Sequence, residues 1–417
     1  MGYPNFVRLR QRFERPRVED VAAAVASALE RMDLGRRIRP GQTVALTAGS
    51  RGIANIPLIL RETVAFLKTI GARPFLVPAM GSHGGGTADG QRRILESYGV
   101  TEQSVGAPIR ASMDVVSLGA TDEGYPVLLD RFASEADHIG VVARVKPHTG
   151  FHGPVESGLL KMMMIGLGKH AGALAYHRIL LEQPFDAVVR SVGQTLRARA
   201  PVAFGLAVVE NAYDETAIVE AVAPEDFETR EEHLLREARR LLARLPWLAA
   251  DLLIVDEIGK NISGSGMDTN IVGRKRAFRQ KPPEDQPAMR LIFVRGLTEH
   301  THGNATGIGL ADFTTTRLIR AMNYRATVVN CLTAGYPDNA FLPVHFETDR
   351  EVIDAALAIN GTRRPEEARV LRVRNTLDLE EVEASEPCFA EPPCTDVTRL
   401  GAAHPLRFDE RGNLPPM

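Results

Sequence analysis

The sequence predicts an α/β protein of two domains, with largely parallel sheets and a cleft between them. Three observations predict it. The chain has 417 residues, which at ~150 residues per domain gives two or three domains. Between residues 43 and 97, short apolar runs alternate with helical stretches, the βαβ pattern of a parallel sheet. A fresh alternating pattern begins at Leu252. The division therefore reads as 1–248, 249–385 and a proline-rich tail, 386–417, packing on the surface.

The elements follow in order. Val18 to Met32 has helical spacing, with Val21, Val25, Leu29 and Met32 on one stripe. Thr43–Thr47 is a short buried strand that stops at Ala48-Gly49-Ser50-Arg51. Pro57–Ile70 reads as a helix and Pro74–Pro78 as a second strand. The loop Gly81–Gly86 leads into a helix from Thr87 to Ser97, with Thr87 as its N-cap and Gly99 as its stop. His138–Val145 is a third strand, ending at Lys146-Pro147-His148. Leu159–Leu167 is apolar and methionine-rich, Val202–Val209 a strand, and Phe227–Leu245 a charged amphipathic helix ending at Pro246. In the second domain a strand starts at Leu252. Arg290–Val294, Asp312–Met322 and Ala326–Val329 read as strand, helix and strand, and Arg274–Pro287 as a loop.

Composition narrows the function classes. Apolar residues are 44% and charged residues 24%, ordinary for a globular protein, and 50 basic against 52 acidic side chains leave a net charge of −2. Such a balance gives no general attraction to nucleic acid or to an anionic membrane. The first residues lack the apolar stretch of a signal peptide, and no run approaches ~18 apolar residues. Three cysteines suit a reducing compartment, so a cytoplasmic protein is expected. Cys388 and Cys394 have no partners at zinc spacing.

Ligands of open α/β sheets bind beyond the carboxyl ends of the strands. Arg51, His83, His148 and the glycine-rich segment after Ile258 all fall there. The Gly81–Gly86 loop, with Ser82, His83, Gly84, Gly85 and Gly86 before a helix N-terminus, is either an anion site or a tight turn. A turn has no need of the imidazole of His83. His148 follows a stiffening proline and can exchange a proton near neutral pH. His152 lies four residues on, but Gly150, Gly153 and Pro154 oppose the helix that metal-ligand spacing would require. Lys161 sits in an apolar run, where a charge is costly unless neutralised, modified or snorkelled to water. Lys161 and His170 are nine residues apart and would point oppositely on one straight helix, so Gly166 and Gly168 are the expected break. The neighbouring methionines read as core filler. Asp256–Asn270 carries Gly259, Gly264 and Gly266 around Lys260, and is either a site-closing loop or an interdomain linker. His300 and His302 read as an exposed loop.

Taken in order, Gly81-Ser82-His83-Gly84, Lys146-Pro147-His148 with Gly150-Phe151, and Lys161 followed by His170 resemble the nickel-dependent lactate racemase family and its 2-hydroxy-acid racemase and epimerase relatives. The resemblance covers residues 40 to 180 well and the rest weakly. It implies a nickel-pincer nucleotide tethered covalently to Lys161, with His170 as the protein ligand to nickel. It also implies that His83 and His148 are the two acid/base groups and that Arg51 pairs with the substrate carboxylate. Inversion at C2 of a 2-hydroxy acid follows from it, as does dependence on cofactor-synthesis proteins. A homo-oligomer is left open. Ala48 stands where the family has an aspartate, and Lys260 is the counterpart proposed for a second-domain substrate lysine. The alternatives are a one-way redox or elimination enzyme with the same cofactor, and a non-catalytic cofactor-binding homologue.

Overall fold

The computed structural model describes residues 2–50, 52–275, 286–361 and 363–417. Arg51 and most of the expected Arg274–Pro287 loop lie outside the described residues. Contacts divide the chain into two compact units: Glu14–His148 with His152–Leu242, and Met1–Phe13, Thr149–Phe151 and Ala243–Met417.

β1 (Asn5–Arg12) belongs to the second of these units. It pairs antiparallel with a strand near the far end of the chain, Phe6 opposite Ser385. The division expected from sequence, 1–248 with 249–385 and a separate tail, therefore differs from the contacts at both ends.

The first unit is built on β2 (Thr43–Ala48), β3 (Arg73–Pro78), the hairpin β4 (Val115–Ala120) and β5 (Pro126–Asp130), then β6 (His138–Arg144), β7 (Val202–Glu210) and β8 (Thr216–Val222). Its main sheet has the order β3-β2-β6-β7-β8, parallel except for the β7–β8 pair. Parallel strands are covered on both faces and so read as unbroken apolar runs. Every residue of β2 after Thr43 is buried. Two helices complete this core, α1 (Val21–Glu30) and α2 (Ile56–Thr69). Val25, Leu29, Ile59, Leu60, Val64 and Leu67 cluster with Val44 and Leu46. Each such side chain contributes roughly 1.5–3 kcal/mol by leaving water. α3 (Ala88–Ser97) starts where expected, since Thr87 Oγ1 accepts the Gly90 N–H at 3.1 Å. Three more helices follow: α4 (Lys169–Ile179), α5 (Phe185–Arg199) and α6 (Phe227–Leu241).

The second unit adds β9 (Ala249–Val255), β10 (Ala288–Val294), β11 (Phe313–Thr315), β12 (Val344–Phe346), β13 (Val370–Val373), β14 (Glu381–Ser385), β15 (Asp396–Arg399) and β16 (His404–Pro405). Among the described residues these form one sheet with β1, in the order β12-β11-β10-β9-β13-β14-β1-β15, with β16 also on β1. Pairing is parallel from β12 to β13 and antiparallel beyond. Two expectations are corrected here. Asp312–Met322 is not one helix, because Phe313–Thr315 is a strand and the helix spans Thr316–Ala321. Ala326–Val329 is not a strand but part of α7 (Tyr324–Thr333), whose N-cap Asn323 accepts the Ala326 N–H at 3.0 Å. A run of four apolar or β-branched residues fits either state, and the cap decides. The tail, expected to pack over the surface, supplies the edge strands β15 and β16. Among the described residues no helix is long and apolar enough to cross a membrane.

Candidate functional site

Parallel β2, β3, β6 and β7 bring their carboxyl ends to one edge of the first sheet, and the loops leaving that edge carry the candidate residues. After β2 comes Ser50, whose Oγ is hydrogen-bonded to His83 Nδ1 and whose carbonyl accepts the Tyr98 hydroxyl at 2.9 Å. The same loop is held further on by Glu210, which ends β7, accepts the Ala54 N–H at 2.6 Å and is ion-paired with Arg144 of β6. Beside that pair, burial first and then the charge of Glu210 push the Asp214 carboxyl up, against the pull of Arg144 and Lys146.

After β3 the chain makes the glycine loop. Gly81, Gly84, Gly85 and Gly86 all have φ between 58° and 69°, the left-handed region that favours glycine. Two of them are also required by crowding. A Cβ on Gly84 would lie 2.5 Å from the Gly90 carbonyl carbon, and one on Gly86 would lie 2.4 Å from His170 Nδ1. The space that Gly86 leaves is filled by the His170 ring. At Gly85 a Cβ would meet nothing within 4 Å. His83 is exposed and Ser82 half-buried.

After β6 come Lys146, Pro147 and His148. The His148 ring lies parallel to Phe185, the first residue of α5, at 6.4 Å between centroids. Its backbone is fixed by Glu156, a fully buried carboxylate that sequence reasoning missed. Glu156 accepts the His148 N–H at 2.5 Å, the Gly153 N–H at 3.1 Å and Arg239 Nη2 at 2.6 Å. His152 Nδ1 is 3.7 Å from the same carboxylate, in a segment, 149–156, that forms no helix.

Lys161 closes the short helical turn Leu159–Lys161, and a π-helical turn, Met162–Gly166, follows. Such turns recur at functional sites. The expected break between Lys161 and His170 occurs: the π turn ends at Gly166, Leu167 and Gly168 form a turn, and Lys169 has a φ of +56°. Gly166 and Gly168 also serve close approach: a Cβ there would be 2.9 Å from Ala79 O and 2.4 Å from Met164 O. The segment packs on both neighbouring loops, with Met162 Cε 3.1 Å from a Cβ built at Gly49 and Ile165 Cγ2 3.1 Å from one built at Gly81.

Lys161 is half-buried, and beneath its turn lies Glu231 of α6, fully buried. Glu231 Oε2 accepts the Leu160 N–H at 3.0 Å, while Oε1 has no hydrogen-bond partner among the described residues. Burial raises this carboxyl to about 7, against the lowering by the two backbone N–H groups and the charge of Lys161. A signal for it existed. Phe227, Glu231, Leu234, Leu235, Ala238 and Leu241 form the buried stripe of α6, so a carboxylate stands on the apolar face.

Lys169 was also missed. Its ammonium is completely buried and reaches Pro78 O at 2.5 Å, Asp130 Oδ2 at 3.1 Å and Gln91 Oε1 at 3.2 Å. Burial pushes the lysine down and the aspartate up, and each opposes the other's shift.

Lys260 belongs to the other unit, where its Nζ donates to Asn330 Oδ1 at 2.7 Å. The glycine segment around it is folded, with Gly259 N donating to Gly266 O at 2.9 Å and Met267 fully buried. His300 lies in the turn Glu299–Thr301, which His302 caps in the left-handed region. Cys331, Cys388 and Cys394 are unpaired thiols. Among the described residues no group of three or more His, Cys, Asp or Glu side chains is placed to hold a metal ion.

Residues 8–188 match the family described as the lactate racemase N-terminal domain. No curated protein matches the chain. Among solved structures, the lactate racemase apoprotein from Thermoanaerobacterium thermosaccharolyticum is similar in fold, with 13% identity and a TM-score of 0.52 over 91% of this chain and 94% of that one. A structural-genomics protein from Thermotoga maritima is similar as well, with 13% identity and a TM-score of 0.50 over 79% of this chain and 84% of that one.

Proposed function

We propose that this chain, whose residues 8–188 match the lactate racemase N-terminal domain, is an isomerase that inverts C2 of a 2-hydroxy acid. The observation that supports this best is the gathering of His83, His148, Lys161 and His170 at one sheet edge, with the segment from 161 to 170 packed on the loops after β2 and β3.

The residues fit a nickel-pincer nucleotide. Such a group brings carbon and sulfur donors of its own, so one imidazole suffices from the protein, and His170 is held in the cradle left by Gly86. Lys161 would carry the covalent link. An acylated lysine is uncharged, and Glu231 beneath it is suited to that change, because a carboxyl raised to about 7 takes up a proton readily. Ser82 and the Gly84–Gly86 backbone would hold the nucleotide phosphate. When bound, the group supplies a reversible acceptor for the hydride of C2.

The chain's own groups do the rest. His83, whose Nδ1 is hydrogen-bonded to Ser50 Oγ, would exchange the C2 hydroxyl proton. His148 serves the opposite enantiomer, its backbone pinned by Glu156. With that acceptor bound, the chain's part would be to take the hydroxyl proton as C2 is oxidised and to give one back as C2 is reduced on the other face. Arg51 would pair with the substrate carboxylate. Ala48, buried at the end of β2, offers no acceptor where the family has aspartate, which favours a hydroxy acid other than lactate.

The test is chiral analysis of enantiopure 2-hydroxy acids after incubation with protein co-expressed with cofactor-synthesis enzymes. Inversion, lost in H83A and H148A, supports the proposal. Net formation of keto acid or of an elimination product would favour a one-way reaction. Cofactor binding without turnover of any acid would leave a binding homologue.

A further inference from the structure

The proposed reaction gives no part to Lys169, the residue between the break in the helix and the candidate metal ligand. A buried ammonium is costly unless it is fully paired, and this one is paired with three separate elements: Pro78 at the end of β3, Gln91 in α3 and Asp130 at the end of β5. It also adopts φ +56°, which L residues avoid and which persists only where the surroundings over-determine it.

Gln91 passes the constraint on. Lys169 can only donate, so the Gln91 amide must turn its oxygen toward the ammonium and its nitrogen away. That nitrogen donates to Gly81 O at 2.9 Å and to His83 O at 3.4 Å. Asp130 is anchored in turn, since its Oδ1 accepts the Ala133 N–H at 2.8 Å. On the other side, the left-handed turn at Lys169 directs the next residue, His170, into the space over Gly86.

We propose that Lys169 is a positioning residue that fixes His83 and His170 relative to one another, through Gln91 on one side and its own backbone on the other. The inference rests on the reading of those two histidines given above.

The test separates positioning from mere burial of an ion pair. K169M leaves the Asp130 carboxyl buried without its ammonium partner and should lower the Tm. K169M/D130N removes both charges and should recover most of it, because a buried pair replaced whole is often neutral for stability. In apoprotein labelled with ε1-¹³C histidine, the His83 and His170 resonances should move in both variants, while those of His138 and His404 hold. In cofactor-loaded protein, kcat should fall ~10–100-fold at nearly constant KM, the scale of a misplaced catalytic group. A double variant that recovers Tm, both resonances and kcat would reduce Lys169 to a structural charge. Q91M guards against a fold failure, since it keeps the Lys169–Asp130 pair. It should shift the His83 resonance and leave His170 in place, and an unmoved His83 would overturn the inference. The apoprotein spectra do not depend on turnover, so an absence of isomerase activity in the parent would sink the proposed reaction and leave this test standing.

Discussion

Gly85→Ala and Gly86→Ala form a pair in which the backbone strain is shared and only one contact differs. Both glycines are left-handed, at φ +69° and +64°, so either substitution carries the same conformational cost of roughly 1–2 kcal/mol. A methyl at 85 meets nothing within 4 Å, whereas a methyl at 86 meets His170 Nδ1 at 2.4 Å. Ordinary carbon contact begins near ~3.5 Å, so the ring must retreat by about 1 Å or rotate away. Urea unfolding should therefore show G85A losing roughly 1–2 kcal/mol and G86A at least as much. Nickel retained per tethered cofactor should stay near the parent level in G85A and fall ~10–100-fold in G86A, on the scale of losses from disturbed ligand orientation. Equal retention in the two variants would refute the claim that Gly86 makes the seat of His170, the proposed metal ligand.

The remaining predictions concern the carboxylates and the acid/base pair. Glu231 sits near 7 in the folded protein against an ordinary 4.5, so the folded state holds its proton longer than the unfolded state. Stability from this group is lost as pH rises between those values, by about 3 kcal/mol at ~1.4 kcal/mol per pH unit. E231Q should flatten that part of the stability–pH curve, measured by urea unfolding at pH 4.5 and 7.5; a slope equal to the parent's would refute the assignment. E156A removes the carboxylate that accepts from the His148 and Gly153 N–H groups and from Arg239, and should lose about 2–4 kcal/mol of stability and most turnover. H83A and H148A should each slow inversion by ~10²–10⁴ while the tethered cofactor remains in place by intact mass.

What the sequence disclosed and what it hid have physical causes. β2, α2 and β3 fall within one or two residues of expectation, because a parallel strand covered on both faces is a continuous apolar run and the intervening helix has its own period. The start of α3 is legible because Thr87 is a local cap. β1 is not, since its partners lie some 375 residues away and its alternation is spoiled by the buried Gln11. Lys169 is the plainest case of a site residue invisible in one dimension. Nothing beside it in the chain announces burial, and its three acceptors come from Pro78, Gln91 and Asp130. Glu156 likewise acquires its role only when the loop folds back over it. Glu231 was readable, as a carboxylate on the apolar stripe of an amphipathic helix.

The central claim is that Lys161 is the attachment point of a nickel-bearing nucleotide. Intact-protein mass with metal analysis tests it most directly, on parent and K161A co-expressed with a cofactor-synthesis system that demonstrably loads a known lactate racemase. The account predicts a nucleotide-sized adduct mapping to Lys161 with one nickel per chain, and a folded, adduct-free K161A. An unmodified, nickel-free parent beside a loaded control would contradict it and make Lys161 an ordinary half-buried lysine.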